Sequence, residues 1–307
     1  MYCPFLRGRQ FELLALRELL ENDLIGDNIV PIIEPVKLSS SLLKTVELFN
    51  EKNHKLVFVQ NPSVGAYPVS MDGEKSDENS LYGKLKIELD KGNVIKAYLF
   101  QDNNKGVFND MQNSIAIIDS VDDISNYLEA YKNENPVYTI IPDRRSIKRS
   151  VKGEKIILED SFIKQKRNVD YQNNIDEFFS DWHREYGKED YKGFSDYSIV
   201  GSEYSESGFA PKAVAIHIVY LSSKDDLRVH HFVSENNIDN KDTPGKFGEA
   251  VAKIKPWCTE HNVQETRGLK AFYDYCDTGR YPGLGVVKKC SIMHHLELMS
   301  KRLGETK

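Results

Sequence analysis

The sequence predicts an α/β protein of the (β/α)8, TIM-barrel-like type, and three observations support this fold class. Eight short apolar runs suit β-strands, and helical patterns lie between several of them. Two runs are apolar at consecutive positions, Leu56-Val57-Phe58-Val59 and Ile115-Ala116-Ile117-Ile118, as is typical of parallel strands covered on both faces. A length of 307 residues leaves room for a large core. A doubly wound open sheet is the main alternative.

The predicted strands are bounded by residues that favour turns. In chain order they are residues 29–36, 55–60, 94–101, 114–119, 137–142, 155–159, 197–201 and 212–221. Helical patterns precede the first strand and follow the first, fourth and sixth, at residues 12–21, 39–51, 121–133 and 174–186. The second of these helices begins at serines, which are good N-cap residues. Residues 63–80 have the Gly, Ser and Asp content of a long loop.

The pattern changes beyond the eighth strand. Residues 227–234 form a further β-prone run after a short polar turn, so residues 212–234 are predicted to form a β-hairpin. The remainder, residues 245–307, is mostly helical in pattern. Because the chain contains no internal repeat and no convincing linker, one domain over residues 1–307 is predicted, with the hairpin and the helical extension packed on the barrel.

Composition limits the function classes. The formal net charge of −6 does not support binding of nucleic acid over a broad surface, although residues 143–149 form a local basic run. The first residues lack the apolar core of a secretory signal, and no run approaches the ~20 apolar residues of a membrane span. Four scattered cysteines do not form a disulfide framework. A cytoplasmic protein without membrane contact is therefore expected.

Several segments resemble the beta protein family of bacteria and phages. They are residues 2–12 (YCPFLRGRQFE), 30–36 (VPIIEPV), 58–62 (FVQNP), 213–217 (AVAIH) and 228–232 (RVHHF). The resemblance covers nearly the whole chain. It implies a barrel-like fold and a role in a phage-defence or mobile-element system, with a nuclease-like partner protein encoded nearby. It implies no catalytic residues.

Polar side chains follow the predicted strands, where α/β proteins collect their functional groups. Carboxylates that face one cavity bind a divalent cation or divide the roles of general acid and base; a metal cofactor is therefore an open alternative. In most α/β proteins, however, such residues cap helices or form turns. We call the residues that follow the predicted strands the rim. Its catalytic candidates are Glu34, Asp143, Glu159 and Glu203, and its ligand-binding candidates are Gln60, Asn61, Arg144, Arg145 and Tyr220.

Glu34 is the strongest single candidate of the rim. It ends an apolar strand and precedes Pro35, which favours an extended backbone at Glu34 itself. A charge in such a position must be paired, solvated in a cavity or used in chemistry. We expect its side chain to lie in a cavity close to Gln60, Asp143, Glu159 or Glu203.

A histidine pair is the second candidate site. If the hairpin closes with a five-residue loop, His217 lies opposite His231, and their Cβ atoms are ~4.5–5.5 Å apart. Two imidazoles so placed can ligate a metal, relay protons, bind phosphate or simply hydrogen-bond to each other. A four-residue loop instead pairs His217 with Phe232 and removes the pair.

Three functions are compatible with these features. The first is a binding or scaffold component of a defence or mobile-element system, which acts through protein–protein interaction with its partner. The second is a TIM-barrel-type enzyme, similar to a phosphoester or nucleotide hydrolase, that uses the acidic rim and the histidine pair as catalytic groups. The third is a structural component without a ligand pocket. Convergence of the rim carboxylates in one cleft favours the enzyme, and their dispersal favours the binding component.

Overall fold

A computed structural model describes residues 1–67, 77–101, 111–206 and 211–304. Its residues form two compact units. The first unit comprises Met1–Asp160 and Trp182–Tyr197, and the second comprises Ser161–Asp181 and Ser198–Lys307. The single domain over residues 1–307 stays a prediction.

The first unit is built on eight parallel strands, which are numbered together with those of the second unit in chain order. They are β1 (Phe5–Leu6), β2 (Ile32–Ile33), β3 (Leu56–Val59), β4 (Val94–Phe100), β5 (Ile115–Ile118), β6 (Tyr138–Ile141), β7 (Glu154–Glu159) and β9 (Gly193–Asp196). Neighbours in this order are hydrogen-bonded in parallel. Tyr2 forms parallel bridges to both Ile29 and Phe194, which brings the first and last strands together. The sheet is therefore a nearly closed barrel, which confirms the predicted fold class.

Side-chain alternation gives the barrel two buried faces. Alternate residues such as Val57 and Val59 on β3, or Ile115 and Ile117 on β5, belong to one apolar cluster with residues of the other strands. The residues between them, Phe58 and Ala116, are also buried. This explains why the strands are continuous apolar runs.

The helices of the first unit lie between the strands along the chain. They are α1 (Gln10–Glu21), α2 (Ser40–Glu51), α3 (Leu81–Leu89), α4 (Ile124–Ala130), α5 (Arg145–Ser150) and α6 (Trp182–Glu185). The predicted cap of α2 is confirmed, because the Ser39 hydroxyl accepts a hydrogen bond from the Leu42 amide at 3.2 Å. Part of the predicted loop over 63–80, residues 68–76, lies outside the described residues.

The second unit contains an antiparallel sheet of three strands, in the order β10 (Ala215–Leu221), β11 (Leu227–Val233) and β8 (Asp176–Ser180). Leu221 pairs with Leu227 and His217 pairs with His231, which confirms the hairpin and gives it the five-residue loop rather than the four-residue alternative. Between Leu227 and Arg228 the pairing of β11 with β8 shifts by one residue, as at a β-bulge.

The described residues of the second unit also contain four helices, in agreement with the mostly helical pattern over 245–307. They are α7 (Thr243–Val251), α8 (Ile254–Glu260), α9 (Arg267–Thr278) and α10 (Leu284–Gly304). The hairpin and the helices share an apolar cluster that includes Ile216, Ile218 and Phe232 with Phe247 and Phe272. No helix of the described segments combines the length and the apolar character needed to cross a bilayer.

Three sequence-based assignments are wrong. Residues 197–201 form no strand but contain the 3₁₀ turn Ser198–Val200, where Ser198 has φ +50°. Residues 212–221 contain a strand of the antiparallel sheet rather than of the barrel. Residues 174–186 are not one helix, because they contain β8 followed by α6. The eighth barrel strand is β9, whose Gly-Phe-Ser-Asp sequence carries little apolar signal.

Replacing Ile33 with Asp should prevent accumulation of soluble protein. Ile33 lies on β2 with no exposed surface, and burying an unpaired carboxylate costs several kcal/mol, about as much as a typical domain has in reserve. The matched control is Ile87→Asp on α3, where the side chain is 53% exposed. Soluble yield after expression at one temperature checks the prediction, and equal yields of the two variants would contradict it.

Candidate functional site

The carboxyl ends of the parallel strands lie at one end of the barrel and carry polar residues. Arg7 follows β1, Glu34 follows β2, and Gln60 and Asn61 follow β3. Farther along the chain, Asp119 follows β5, Asp143 follows β6, Glu159 ends β7 and Tyr197 follows β9. The parallel topology thus brings seven of these eight residues to the barrel end from loops, and Glu159 from the last position of its strand.

Glu34 is fully buried and is held by a positive charge and by a turn. Arg7 forms an ion pair with Glu34 through Nη1 and Oε2. The other carboxylate oxygen accepts hydrogen bonds from the Ser63 amide at 2.7 Å and the Ser63 hydroxyl at 2.9 Å. A buried carboxylate requires such partners, and of the three alternatives for Glu34 the structure shows pairing, by Arg7 and Ser63.

The backbone conformation at position 8, next to Arg7, favours a glycine. Gly8 has φ +63°, and a Cβ atom there would lie 3.2 Å from the Glu34 carbonyl oxygen. A side chain at this position is therefore strained both by conformation and by contact. Gly8 allows the chain after β1 to pass close to the end of β2, which places Arg7 against Glu34.

Two aromatic rings hold the Arg7 guanidinium. Its Cζ lies 5.3 Å from the centroid of Phe5 and 5.4 Å from that of Tyr197, within the range of cation–π attraction. Burial lowers the pKa of Arg7. Burial also raises the pKa of Tyr197 to about 12, so the phenol remains protonated. The Arg7–Glu34 pair is therefore a charged, rigidly packed structural element of the barrel end.

The side chains of the two amide candidates, which follow β3, hydrogen-bond to the backbone of barrel strands. The Asn61 side chain donates to the Leu99 carbonyl and accepts from the Leu99 amide, both at 2.8 Å. Gln60 donates through its side chain to the Phe58 carbonyl at 3.2 Å. These bonds give both residues structural partners, and their ligand-binding role stays a prediction.

Two exposed carboxylates of the rim accept hydrogen bonds from different aromatic side chains. Asp143 accepts a hydrogen bond from the Tyr191 hydroxyl at 3.0 Å, and Glu159 accepts one from Trp182 Nε1 at 3.0 Å. Arg144 and Arg145, which follow Asp143, are both exposed. This part of the barrel end therefore presents charge to solvent.

Two candidates lie in the second unit and do not follow barrel strands, so their predicted placement is wrong. Glu203 comes after the 3₁₀ turn and forms an exposed ion pair with Lys164 at 3.0 Å. Tyr220 lies on β10, and its hydroxyl donates to Asp176 Oδ2 at 2.9 Å. The misplacement follows from the two strands that were wrongly assigned to the barrel.

The predicted neighbours of Glu34 are not its hydrogen-bond partners. Within the described part of the chain, Glu34 bonds through its side chain to Arg7 and Ser63 and to none of the four predicted residues. Its carboxylate does not point into bulk solvent, because its exposure is 0%. Glu34, Asp143 and Glu159 thus form hydrogen bonds to different residues.

The histidine pair forms as the hairpin register requires. His217 Nδ1 lies 2.8 Å from His231 Nδ1, and His231 Nε2 lies 3.1 Å from Glu177 Oε1. Asn174 donates to the second oxygen of Glu177 at 2.6 Å. A carboxylate only accepts, so His231 donates from Nε2 and must accept at Nδ1. His217 therefore donates from Nδ1, and its Nε2 carries a lone pair.

The surroundings keep both imidazoles neutral. The ring of Phe162 lies 5.0 Å from His217, and the ring of Tyr171 lies 4.6 Å from both histidines. Burial lowers the pKa of His217 well below its ordinary value, and nearby His231 and Lys288 add to the effect. Burial likewise lowers the pKa of His231, although Glu177 opposes this shift. The Glu177 carboxylate and the two neutral imidazoles therefore form a hydrogen-bonded chain that ends at the lone pair of His217 Nε2.

The two rings are in direct contact through their Nδ1 atoms. Their separation of 2.8 Å is that of an N–H···N hydrogen bond. Among residues 1–67, 77–101, 111–206 and 211–304, no group of three or more His, Cys, Asp or Glu side chains could hold a metal ion. The pair of rings is therefore joined by a hydrogen bond.

A second carboxylate–histidine pair was missed in the sequence. Asp176 Oδ2 lies 3.0 Å from His230 Nδ1, and Asp176 also accepts from Arg228 Nε at 2.6 Å. The signal was present, since Asp176-Glu177 and His230-His231 are adjacent pairs and strand alternation sends their members to opposite faces. The helix assigned to residues 174–186 concealed it.

No family model matches this chain, and neither a curated protein nor a solved structure matches it. The resemblance of segments such as residues 2–12 and 30–36 to the beta protein family remains untested by these comparisons, and the function it implies is treated below as a proposal.

Replacing His217 with Phe should make stability less sensitive to acid. Both histidines are neutral in the folded protein, whereas in the unfolded chain they bind protons below about pH 6.5. Stability is thus complete above that pH and declines as the pH falls below it. Each such histidine contributes up to ~1.4 kcal/mol per pH unit to the decline, and the variant lacks one of them.

Urea unfolding between about pH 7.5 and about pH 5 measures this dependence. Phe suits the site because Phe162 and Tyr171 already surround it. The control is His261→Phe, at an exposed histidine of the same unit, which should leave the slope unchanged. A slope for His217→Phe equal to that of the wild type would show that His217 does not titrate as described.

Proposed function

We propose that this chain is the binding component of a bacterial phage-defence or mobile-element system and acts with a partner protein. The partner is a nuclease-like protein encoded nearby, as the resemblance to the beta protein family implies. We place the protein in the cytoplasm, in keeping with the scattered cysteines of its sequence.

One observation carries this proposal: the carboxylates of the barrel end bond to different side chains. Asp143 and Glu159 bond to different aromatic residues, and Glu34 is neutralised by Arg7. An enzyme that used these carboxylates together would need them within reach of one reacting group. Separate, exposed charges instead suit recognition of a complementary protein surface.

Arg144 and Arg145 are the side chains of this end best suited to such recognition. Both are exposed, at the start of α5, and neither has an ion pair within the described part of the chain. Arg is enriched where protein interfaces have their strongest contacts. An acidic patch on the partner is the complementary surface.

Reversing these two charges should separate the chain from its partner. We expect the double variant Arg144→Glu, Arg145→Glu to capture at least about tenfold less of the co-expressed nuclease-like protein, because like charges that face each other at an interface oppose association. Efficiency of plating of a phage on cells that carry both genes should show a matching loss of protection. Glu34→Gln is a poorer probe, since it removes the counter-charge of the partly buried Arg7.

The control is the double variant Lys91→Glu, Lys132→Glu in the same unit. These lysines are also exposed, and each forms an ion pair with a glutamate three residues earlier, so their reversal should leave capture and protection unchanged. Unchanged capture and protection in the arginine variant, with normal folding by circular dichroism, would refute the proposed role of the barrel end.

The Glu177–His231–His217 chain favours a second candidate function. A neutral imidazole whose Nδ1–H is engaged and whose Nε2 carries a lone pair is a general base. Hydrolysis of a phosphoester, the activity expected of an enzyme built on this histidine pair, needs such a base to activate water. The rim carboxylates of the barrel and the histidine pair belong to different units, and this second function uses the histidine pair alone.

A chromogenic phosphodiester tests this second function. If His217 is the base, purified protein should release p-nitrophenol from bis(p-nitrophenyl) phosphate, and His217→Gln should lower the rate by ~10²-fold or more, as is typical of losing a general base. The exposed-site variant His261→Gln serves as the control. Absence of release, or equal rates for His217→Gln and the wild type, would eliminate the enzyme.

A further inference from the structure

The Asp176–His230 pair lies on the opposite face of β11 from the His217–His231 contact. The pairing of β8 with β11 sets Asp176 directly opposite His230. Asp176 is fixed by three donors, because besides His230 it accepts from Arg228 Nε at 2.6 Å and from the Tyr220 hydroxyl at 2.9 Å. Burial acts to raise the pKa of Asp176, but these hydrogen bonds outweigh it and lower the pKa overall. The carboxylate is therefore a fixed acceptor.

This acceptor determines the tautomer of His230. With Nδ1–H donating to Asp176, the neutral ring carries a lone pair on Nε2. Nε2 has no hydrogen-bond partner within the described part of the chain. Trp257 stacks on the ring at 4.0 Å between centroids and 27° between planes, which fixes its orientation. The result is a preset hydrogen-bond acceptor.

His230 lies in the wall of a cleft of about 410 Å³. Trp257, Phe232, Ile175 and Val233 form apolar parts of the wall. This volume is within the ~300–1,000 Å³ of small-molecule sites, which combine a mainly apolar lining with a few placed polar groups. The cleft thus offers an apolar surface beside the acceptor.

Lys253 supplies a positive charge in the same cleft. Its ammonium group donates to the Val233 carbonyl at 2.8 Å and pairs with Glu235. The side chains of Lys253 and Glu235 are 41% and 74% exposed, and exposed pairs of this kind contribute little stability. An anionic ligand can therefore replace Glu235 as the partner of Lys253.

We propose that this cleft binds an adenine nucleotide. The exocyclic amine of adenine donates to His230 Nε2, the purine ring lies against the apolar wall beside Trp257, and the phosphate group pairs with Lys253. Each element of the ligand meets a group that the cleft already holds in place. This site requires neither the partner protein nor the His217–His231 contact, so it goes beyond the function proposed above.

Tryptophan fluorescence reports on the site directly. The chain has two tryptophans, Trp182 and Trp257, so Trp182→Phe leaves Trp257 as the sole reporter. We expect saturable quenching by AMP. We expect purine ribonucleoside monophosphate, which is AMP without the exocyclic amine, to bind at least about tenfold more weakly than AMP. The reason is that it leaves the His230 acceptor unpaired. Adenosine should also bind more weakly than AMP, and inorganic phosphate alone should cause no saturable change.

Two variants assign the contacts. Asp176→Asn presents an amide N–H to His230 Nδ1 and so moves the ring proton to Nε2; the preference for AMP over the nucleotide without the amine should disappear. Lys253→Met should reduce AMP binding to the level of adenosine. Lys255→Met, two residues away and 53% exposed, is the matched control and should bind AMP as the wild type does.

Several results would overturn the site. They are absence of saturable quenching by AMP at millimolar concentration, equal affinity for AMP and its analogue without the amine, and equal AMP affinity in the Lys253→Met and Lys255→Met variants. If Asp176→Asn does not fold, as judged by circular dichroism, the nucleotide comparison in the Trp182→Phe protein and the two lysine variants decide the question.

Discussion

The pairing of β11 with its two neighbours is the constraint on which the chemistry of the second unit depends. On one side, the five-residue loop sets His217 opposite His231. On the other side, the shift between Leu227 and Arg228 places Asp176 opposite His230, whereas an unshifted ladder would place Glu177 there. Because side chains alternate along a strand, a change of one residue would break both carboxylate–histidine pairs together.

In the first unit, eight parallel strands end at one rim. The strands of this unit are buried on both faces and are mostly apolar. The candidate polar side chains therefore lie at the rim, where the strands end. There Glu34 is buried and Arg7 is partly buried against the rings of Phe5 and Tyr197. Asp143, Arg144 and Arg145 remain exposed. A buried pair of this kind holds two loops in one arrangement, and the exposed charges around it remain available for a partner.

Much of the architecture followed from local patterns. Burial on both faces made β3 and β5 recognisable as continuous apolar runs, and the polar loop between two β-prone runs identified the hairpin. The errors occurred where local pattern and tertiary role differ. The strand β9 has the sequence Gly-Phe-Ser-Asp, and β1 has only two residues; both are strands because neighbouring strands supply their hydrogen bonds, which composition does not report.

The sequence by itself predicted the fold class and the hairpin, because periodicity and a short polar turn indicate these locally. It left two loop lengths open, and the structure has the one that brings His217 against His231. Tertiary structure alone decided which charges meet. Glu34 pairs with Arg7 because two parallel strands end side by side, and His230 pairs with Asp176 because a bulge shifts one ladder. Such contacts join residues far apart in the chain, and their partners depend on strand order and register, which no local pattern of residues encodes.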